Sequence, residues 1–566
     1  MYQGEETMNY KDYILNIVKN LGINEGEIEV SVPPKEDMGD YSIPCFRMNI
    51  NDIKNPNDKA NYILSNLVYD KDIISEVNVI GPYINFRVNV SNMAKVLLER
   101  ILKEKDNYGS TNEGVSKSLL IEHTSINPNA SPHIGRSRNS IIGDFLARLY
   151  KFNGYDVLRE YFVNDIGKQI SMLLIGVKKF GDISKVTFND MLKLYIDINE
   201  EAKNDPLLEK EVFHYLNLLE NGDEEVREEF RKITDLCVEG QTKIFDKLDI
   251  HWDNFKHESD FVFGNITNNI LDEFKKKGKL KEDENGRYYL DLDGYGIPTK
   301  APVLVLTRED KTSLYPLRDI AYSIYKMEKN KDVNLIVLGE DQKVYMEQIS
   351  AALDILGYDS PKLISYSFVL LNGDKMATRE GKVVLLEDFI VEAMKKLESA
   401  FKERNSTCEE DNLLSLAASC IKYSMLNINR GKNINFNLDE ATNFAGNSAI
   451  YILYNYARIN SILSKATVNY NFDNVVLSNK IELLIVKKLY DFADAVKETV
   501  KTSESVILTK YLNDLCALLS RFYEEVSVLK EEDETLRNSR LLLLASAKVV
   551  IKNATSILGI EVVEKL

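Results

Sequence analysis

The chain has 566 residues, of which 44% are hydrophobic and 28% charged, and carries a formal net charge of −17. That length exceeds one compact core and suits three or four domains, the composition excludes a disordered chain, and the charge argues against a protein that coats nucleic acid through bulk electrostatics. No apolar run reaches the roughly 18 residues of a membrane span, the acidic amphipathic start is unlike a secretory or transit peptide, and five scattered Cys without a CxxC indicate free thiols; a cytoplasmic chain with neither disulfides nor a zinc site is expected.

Residues 1–116 read as a small α+β unit. DYILNIVKNL sets Ile14, Ile17, Val18 and Leu21 at helical spacing, whereas EIEVSVP and VNVIGPYINFRVNV cluster β-branched residues as strands do. The polar KEKDNYGSTNEG reads as a linker and puts a boundary near 117. From 117 to 411 strands and helices alternate. SLLIE (118–122) suits a buried parallel strand, IIGDFLARLYKF a helix closed by Gly154, and YDVLREYFV (155–163) a second strand, which makes one right-handed βαβ unit. A second series has APVLVLT (301–307), a helix from Arg318 to Lys329, NLIVLG (334–339), a helix from Tyr345 to Leu356, and LISYSFVLL (363–371). The alternation predicts a doubly wound parallel sheet of Rossmann type, interrupted at about 170–300 by a helical, acidic insertion that includes GDEEVREEFRK. From 412 to 566 a period of 3.6 dominates, with Ile485, Leu489, Phe492, Val496 and Val500 on one face, and predicts an α-helical bundle.

In an open parallel sheet the ligand lies beyond the carboxyl ends of the strands. HTSINPNASPHIGRSRN (123–139) fills the loop after the first strand and runs into a helix, whose N-terminus favours an anion. There Gly135 permits close approach of a ligand to the backbone and His133 is a donor for a phosphate oxygen. Alone, the stretch is more simply a turn in which His133 caps the helix. Its partner is NGDKMATREGKVVLLED (372–388), which follows the last predicted strand and gathers Lys375, Arg379 and Lys382, a set suited to charge building on a leaving pyrophosphate.

HIGR (133–136) and KMATR (375–379) resemble the HIGH and KMSKS signatures of class I aminoacyl-tRNA synthetases. IEHTSINPNASPHIGRSRNSIIGDFLARLYKFNGYDV, YFVNDIGKQ, YPLRDIAYSIYK, INFNLDEATNFAGNSAIYILYNYARI and ILGIEVVEKL resemble, in order and spacing, the arginyl-tRNA synthetase family nearly end to end. MGDYSIPCF and GPYINFRVN resemble that family's additional N-terminal domain, a tRNA contact, and the helical tail its anticodon-binding domain.

The resemblance implies an arginine–tRNA ligase: L-arginine and ATP give arginyl-adenylate, and the arginyl group passes to tRNA(Arg). ATP is a substrate, Mg²⁺ accompanies it, no protein-held metal or tightly bound cofactor is expected, and the chain is expected to be monomeric. On the motif positions, His133, Gly135, Arg136 and Lys375 are the catalytic set, joined at ATP by Met376 and Arg379. Glu122, Ser125, Asn127, Tyr315, Asp319 and Gln342 line the arginine pocket. Arg430, Lys432, Arg458, Arg521 and Tyr523 are candidates for tRNA, where charge and stackable rings suit unpaired bases. Arg136 stands where the family has a second His, Ala377 where it has Ser, Ala130 where many members have Lys, and Leu317 where Thr is common. The first two departures are the sequence support for an alternative, a catalytically weak paralogue that binds tRNA or arginine without charging.

Overall fold

The computed structural model describes residues 9–50, 52–180, 183–263, 265–371, 374–375, 384–404, 408–444 and 446–566. It opens with α1 (Tyr10–Lys19), started by the Asn9 side chain, which accepts from the N–H groups of Lys11 and Asp12. Ile14, Ile17 and Val18 point inward. Strand β1 (Tyr41–Pro44), helix α2 (Pro56–Asn66) and the hairpin β2 (Ile74–Ile80) and β3 (Tyr83–Val88) follow; the antiparallel sheet has order β1-β3-β2. The hairpin turns on Gly81 and Pro82, and Gly81 takes φ +58°, which a glycine adopts without strain. The strand expected in EIEVSVP reduces to one bridge between Ser31 and Ser42, because Pro33 and Pro34 offer no N–H to a ladder. The linker expected from Lys103 also yields: its first residues finish α3 (Val90–Glu104), whose Leu97, Leu98 and Ile101 are buried.

Next come β4 (Ser118–Glu122), α4 (Ile134–Phe152) and β5 (Asp156–Val163), with Gly154 at φ +91° ending the helix as expected. Four helices, α5 (Lys168–Phe180), α6 (Phe188–Asn204), α7 (Pro206–Glu220) and α8 (Glu224–Asp246), build a satellite core of their own before β6 (Asn254–His257), α9 (Ser259–Phe263) and α10 (Ile266–Lys276). Strands β7 (Leu280–Glu282), β8 (Tyr288–Asp291) and β9 (Val303–Val305) form a separate antiparallel sheet. After α11 (Tyr315–Glu328), β10 (Val333–Gly339), α12 (Lys343–Leu356) and β11 (Lys362–Tyr366), the parallel sheet is complete in the order β11-β10-β4-β5-β6. Leu335 and Val337 pack on the α4 side, whereas Ile336 packs with Leu317, Ile320 and Ile349 of α11 and α12. Helices therefore cover both faces, as a doubly wound sheet requires.

Two strand expectations differ from this arrangement. APVLVLT is not a parallel strand: in β9 Leu304 is buried while Val303 is exposed, the alternation of a strand with one wet face. The fifth parallel strand is instead β6. LISYSFVLL divides at Ser367 and Phe368, whose N–H groups are taken by the Arg430 carbonyl (2.8 Å) and Asn433 Oδ1 (3.0 Å). Its second half, β12 (Val369–Leu371), leaves the main sheet to pair with β13 (Asp374–Lys375) and later with β14 (Ile434–Asn435).

Helix α13 (Leu386–Glu403) leads to α14 (Glu410–Leu426), the short α15 (Leu438–Ala441), α16 (Ala449–Leu463), α17 (Lys480–Tyr490), α18 (Phe492–Thr502), α19 (Val506–Glu525) and α20 (Glu534–Ile557). The stripe from Ile485 to Val500 is shared by α17 and α18, broken at Asp491, yet Ile485, Leu489, Phe492 and Val496 are all buried. The N-terminal unit is fastened to this bundle: Tyr108 Oη donates to the Leu489 carbonyl (2.9 Å), and Asn553 Nδ2 to the carbonyls of Lys105 (2.8 Å) and Tyr108 (3.0 Å).

Candidate active site

Beyond Glu122 the chain turns sharply through Thr124 (φ +75°) and Ser125 (φ +43°), a conformation non-glycine residues seldom adopt. The turn is pinned to α4: Thr124 N–H donates to Asn139 Oδ1 (2.6 Å), and the Thr124 and Ser140 hydroxyls lie 2.9 Å apart. Ser125 Oγ donates to Glu122 Oε1 (3.2 Å) and accepts from the Phe162 N–H (3.1 Å). The Asn127 amide is fixed at both ends, donating to Gln169 Oε1 (2.9 Å) and accepting from Asn164 Nδ2 (2.9 Å). Ser125 and Asn127 thus share one hydrogen-bonded loop at the carboxyl edge of the sheet, and Glu122 ends the strand that enters it.

The loop delivers His133 to the N-cap position of α4, but its side chain makes no capping bond. Nδ1 is buried and has no hydrogen-bond partner among the described residues. Burial, and then the neighbouring Arg136 cation, lower the imidazole pKa to about 4, so the ring is neutral at physiological pH and keeps one donor and one acceptor nitrogen. Gly135 and Arg136 form the first turn and are partly exposed. The turn is stitched to the far end of the second motif: Ile134 N–H donates to the Val384 carbonyl (3.1 Å) and Leu386 N–H to the Pro132 carbonyl (2.8 Å). Lys375 ends β13, with its backbone opposite Leu370. Its side chain, together with Met376 and Arg379, lies outside the described residues, as do Ala377 and Lys382.

Carboxylates collect beside the loop. Buried Glu122 accepts from Lys326 Nζ at 2.6 Å, an internal ion pair on α11. Asp319, one turn into α11, accepts from Tyr345 Oη; burial, with the Glu122 charge adding, raises its pKa to about 6. Glu258, at the end of β6, accepts from Arg318 Nε (2.5 Å), and burial raises its pKa to about 7 against the pull of Arg318, while Asp319 and Asp165 push it further up. Tyr315 is 58% exposed at the rim, its ring 5.4 Å from that of Tyr345. Gln342 is exposed in the turn after β10, where its amide meets Asp341 Oδ2 (3.3 Å). Sharing out negative charge in so little water suits a planar cation with several donors. Among the described residues no three His, Cys, Asp or Glu side chains gather as a metal-ion site.

Residues 97–438 match the family model of class I tRNA synthetases (R), catalytic domain; residues 8–88 match the arginyl tRNA synthetase N-terminal domain and residues 452–566 the DALR anticodon binding domain. The chain is 32% identical to the arginine–tRNA ligase of Clostridium botulinum, covering 99% of this chain and all of that protein, and 33% identical to that of Methanocaldococcus jannaschii over 98% and 99%. The chain belongs to the arginyl-tRNA synthetase family. The structure of the Thermus thermophilus arginyl-tRNA synthetase superposes with a TM-score of 0.80 at 25% identity, over 98% of this chain and 99% of that one. The Plasmodium falciparum arginyl-tRNA synthetase shares the fold with a TM-score of 0.79. Nothing among these relatives supports the alternative of a paralogue that does not charge.

Against this arginyl-tRNA synthetase background, the tRNA candidates divide. Arg430 is turned into the protein, donating to the carbonyls of Ser365 (2.9 Å) and Thr502 (3.3 Å) beside Glu504, and Lys432 is exposed on the same loop. Arg458, on α16, stands over the Tyr523 ring of α19 at 4.1 Å, with exposed Tyr454 on the same helix. Arg521 is exposed and 3.5 Å from Glu525, whereas the ring of its neighbour Phe522 is buried in the bundle and offers no face to an unpaired base. Sequence reasoning missed Glu258, because β6 reads Asn-Phe-Lys-His and shows no strand pattern, and it missed the groups that hold the Ser125–Ala130 loop. Buried Leu317, where Thr is common in the family, sits in the core between α11 and the sheet.

Proposed function

We propose that this chain is an arginine–tRNA ligase acting as a cytoplasmic monomer, with units at 1–116, 117–411 and 412–566. The observation that carries the reading is the meeting of an uncapped helix start, which suits phosphate, with Glu122, Asp319 and Glu258, which suit a guanidinium, on one edge of a parallel sheet. Glu122, Ser125, Asn127, Tyr315, Asp319 and Gln342 line the arginine pocket, and Glu258 joins them. His133, Gly135, Arg136, Lys375, Met376 and Arg379 serve ATP; Mg²⁺ enters with ATP and screens its phosphates. An arginine carboxylate oxygen attacks the α-phosphorus, the bond to pyrophosphate breaks, and cationic Arg136 and Lys375 favour the charge that moves onto the leaving group. A ribose hydroxyl of the tRNA end then attacks the carbonyl carbon and AMP leaves. Holding the reactants in line supplies the catalysis, with no covalent bond to the protein. Four free thiols, Cys45, Cys237, Cys420 and Cys516, are buried, which fits a reducing compartment, and no helix of the described residues is long and apolar enough to cross a membrane.

Incubation with ATP, radiolabelled arginine and total tRNA is the test. Acid-precipitable label is expected; none, where a control synthetase charges, overturns the reading.

A further inference from the structure

The loop that carries Ser125 and Asn127 to His133 has no secondary structure of its own, and its backbone is held by two side chains from elsewhere in the catalytic unit. Gln241, on α8 of the helical insertion, donates through Nε2 to the carbonyls of Ala130 (2.8 Å) and Asn127 (3.1 Å). Its Oε1 accepts from Tyr161 Oη (2.9 Å). That hydroxyl also accepts from the Ile126 N–H (3.2 Å) and lies 3.1 Å from the Ile126 carbonyl. Gln241 and Tyr161 are wholly buried, and the Tyr161 ring is fixed edge-on by Trp252 (5.3 Å) and by stacking with Phe255 (5.5 Å).

The chemistry of the amide makes this arrangement directional. Both Nε2 protons have carbonyl acceptors and Oε1 has a hydroxyl donor, so the opposite orientation would set Oε1 against two carbonyl oxygens. One amide thereby fixes the spacing of Asn127 and Ala130, three residues ahead of His133, and it belongs to the insertion rather than to the sheet. Gln241 also falls on the apolar stripe of α8, with Ile233, Cys237 and Ile244 buried around it. A polar group kept in such a stripe is costly unless its bonds are made.

We propose that Gln241, with Tyr161 as its brace, is a positioning residue of the charging reaction: it sets the amino-acid loop relative to the helix start that serves ATP. The inference rests on the ligase reading. A group that only stabilised the fold would lower the melting temperature and leave the kinetics of the folded fraction alone. A group that positions the loop splits the two substrates, because Asn127 and Ser125 move while the start of α4, tied separately to Val384 and Leu386, keeps its place.

The test is steady-state aminoacylation of tRNA by full-length Gln241→Leu and Tyr161→Phe, with arginine and ATP varied in turn. For Gln241→Leu the KM for arginine is expected to rise by about tenfold or more and the KM for ATP to change by less than about twofold, since a small misplacement of a substrate-bearing group weighs heavily on rate and binding. Tyr161→Phe, which leaves the two Gln241 bonds in place, shifts the same ratio in the same direction but by less, and the double variant is less than multiplicative because one network is being cut twice. Gln241→Met, of nearly the same length, stands in if the leucine variant does not fold. Equal effects on both KM values, or kinetics unchanged beside a lowered melting temperature, overturn the proposal and leave the ligase reading intact. Failure of the unsubstituted chain to charge any tRNA overturns both.

Discussion

At the carboxyl edge of the sheet, Glu122 and Glu258 are buried, Asp319 is half-buried, all three are partnered, and burial pushes Asp319 and Glu258 toward neutrality; on the helical domain, Arg458 and Arg521 stand in solvent with an aromatic ring or one carboxylate for company. The first region concentrates charge where water is scarce, so each group weighs heavily and its protonation is part of its function. The second distributes charge where salt screens it, so each group weighs little and acts with its neighbours. An acidic enzyme can bind a polyanion on such terms: the repulsion of the whole chain is long-range and screened, while contacts at a few cations are local.

The sharpest way to break the comparison is Asp319→Asn. Removing one charge from an enclosed carboxylate–guanidinium contact costs about 3 kcal/mol, roughly a hundredfold in the KM for arginine, with the KM for ATP held within about twofold. Equal effects on both substrates in a steady-state charging assay would make Asp319 structural.

Arg430→Ala should come next, and should act on stability. It strands the Ser365 and Thr502 carbonyls and Glu504, at about 2 kcal/mol in a denaturant titration, with little change in the KM for tRNA of the folded enzyme. Arg458→Ala inverts that pattern: it should raise the KM for tRNA by about fivefold, close to 1 kcal/mol, as expected for a cation and ring at a nucleic-acid surface, and leave the denaturation midpoint unmoved. Should Arg458→Ala leave the KM for tRNA where it was, the face that α16 and α19 share would be no tRNA contact. Smallest of all is Arg521→Ala, within about twofold, because its exposed pair with Glu525 already competes for the charge.

The comparison also predicts a pH dependence. In the proposed arginine pocket Asp319 and Glu258 receive the guanidinium in their ionised form, and burial raises them to about 6 and about 7. A raised carboxyl pKa favours the protonated form as pH falls, so kcat/KM for arginine should be on its plateau above about pH 8, fall to about half near 7, and steepen toward 6 as the second group protonates. The same raised values make the ionised carboxyls a cost to the folded state at high pH, which bound arginine relieves. A profile flat between about pH 5 and 8 would remove both carboxylates from arginine recognition, the pH range here being about one unit either side of the two values.

How much of this was legible in the sequence differs between the same regions. Ser118–Glu122 and Val333–Gly339 were readable because strands buried on both faces must be apolar almost throughout. Val303–Val305 deceived for the same reason: three apolar residues in a row look alike whether one face is wet or neither is. Asn254–His257 was invisible, as an edge strand needs little apolar surface, and with it went Glu258. The HIGR and KMATR stretches carried the phosphate side through resemblance and spacing. The groups that hold the pocket in shape were hidden, although Gln241 left one trace, a polar residue on the apolar stripe between Cys237 and Ile244. For tRNA, residue type alone could not separate Arg430, turned inward, from Arg458, turned outward, since both stand near aromatic and basic neighbours in the chain.

The central claim, that enclosed carboxylates at this sheet edge read the charge of arginine, is tested most directly by offering citrulline, which has the same shape with a neutral urea group. The unsubstituted chain should charge tRNA with citrulline at least about a thousandfold less efficiently than with arginine, because a buried carboxylate left without its cation is heavily penalised, and Asp319→Asn should narrow that ratio by an order of magnitude or more. Citrulline charged within about tenfold of arginine, or a ratio that Asp319→Asn leaves unchanged, would contradict the account.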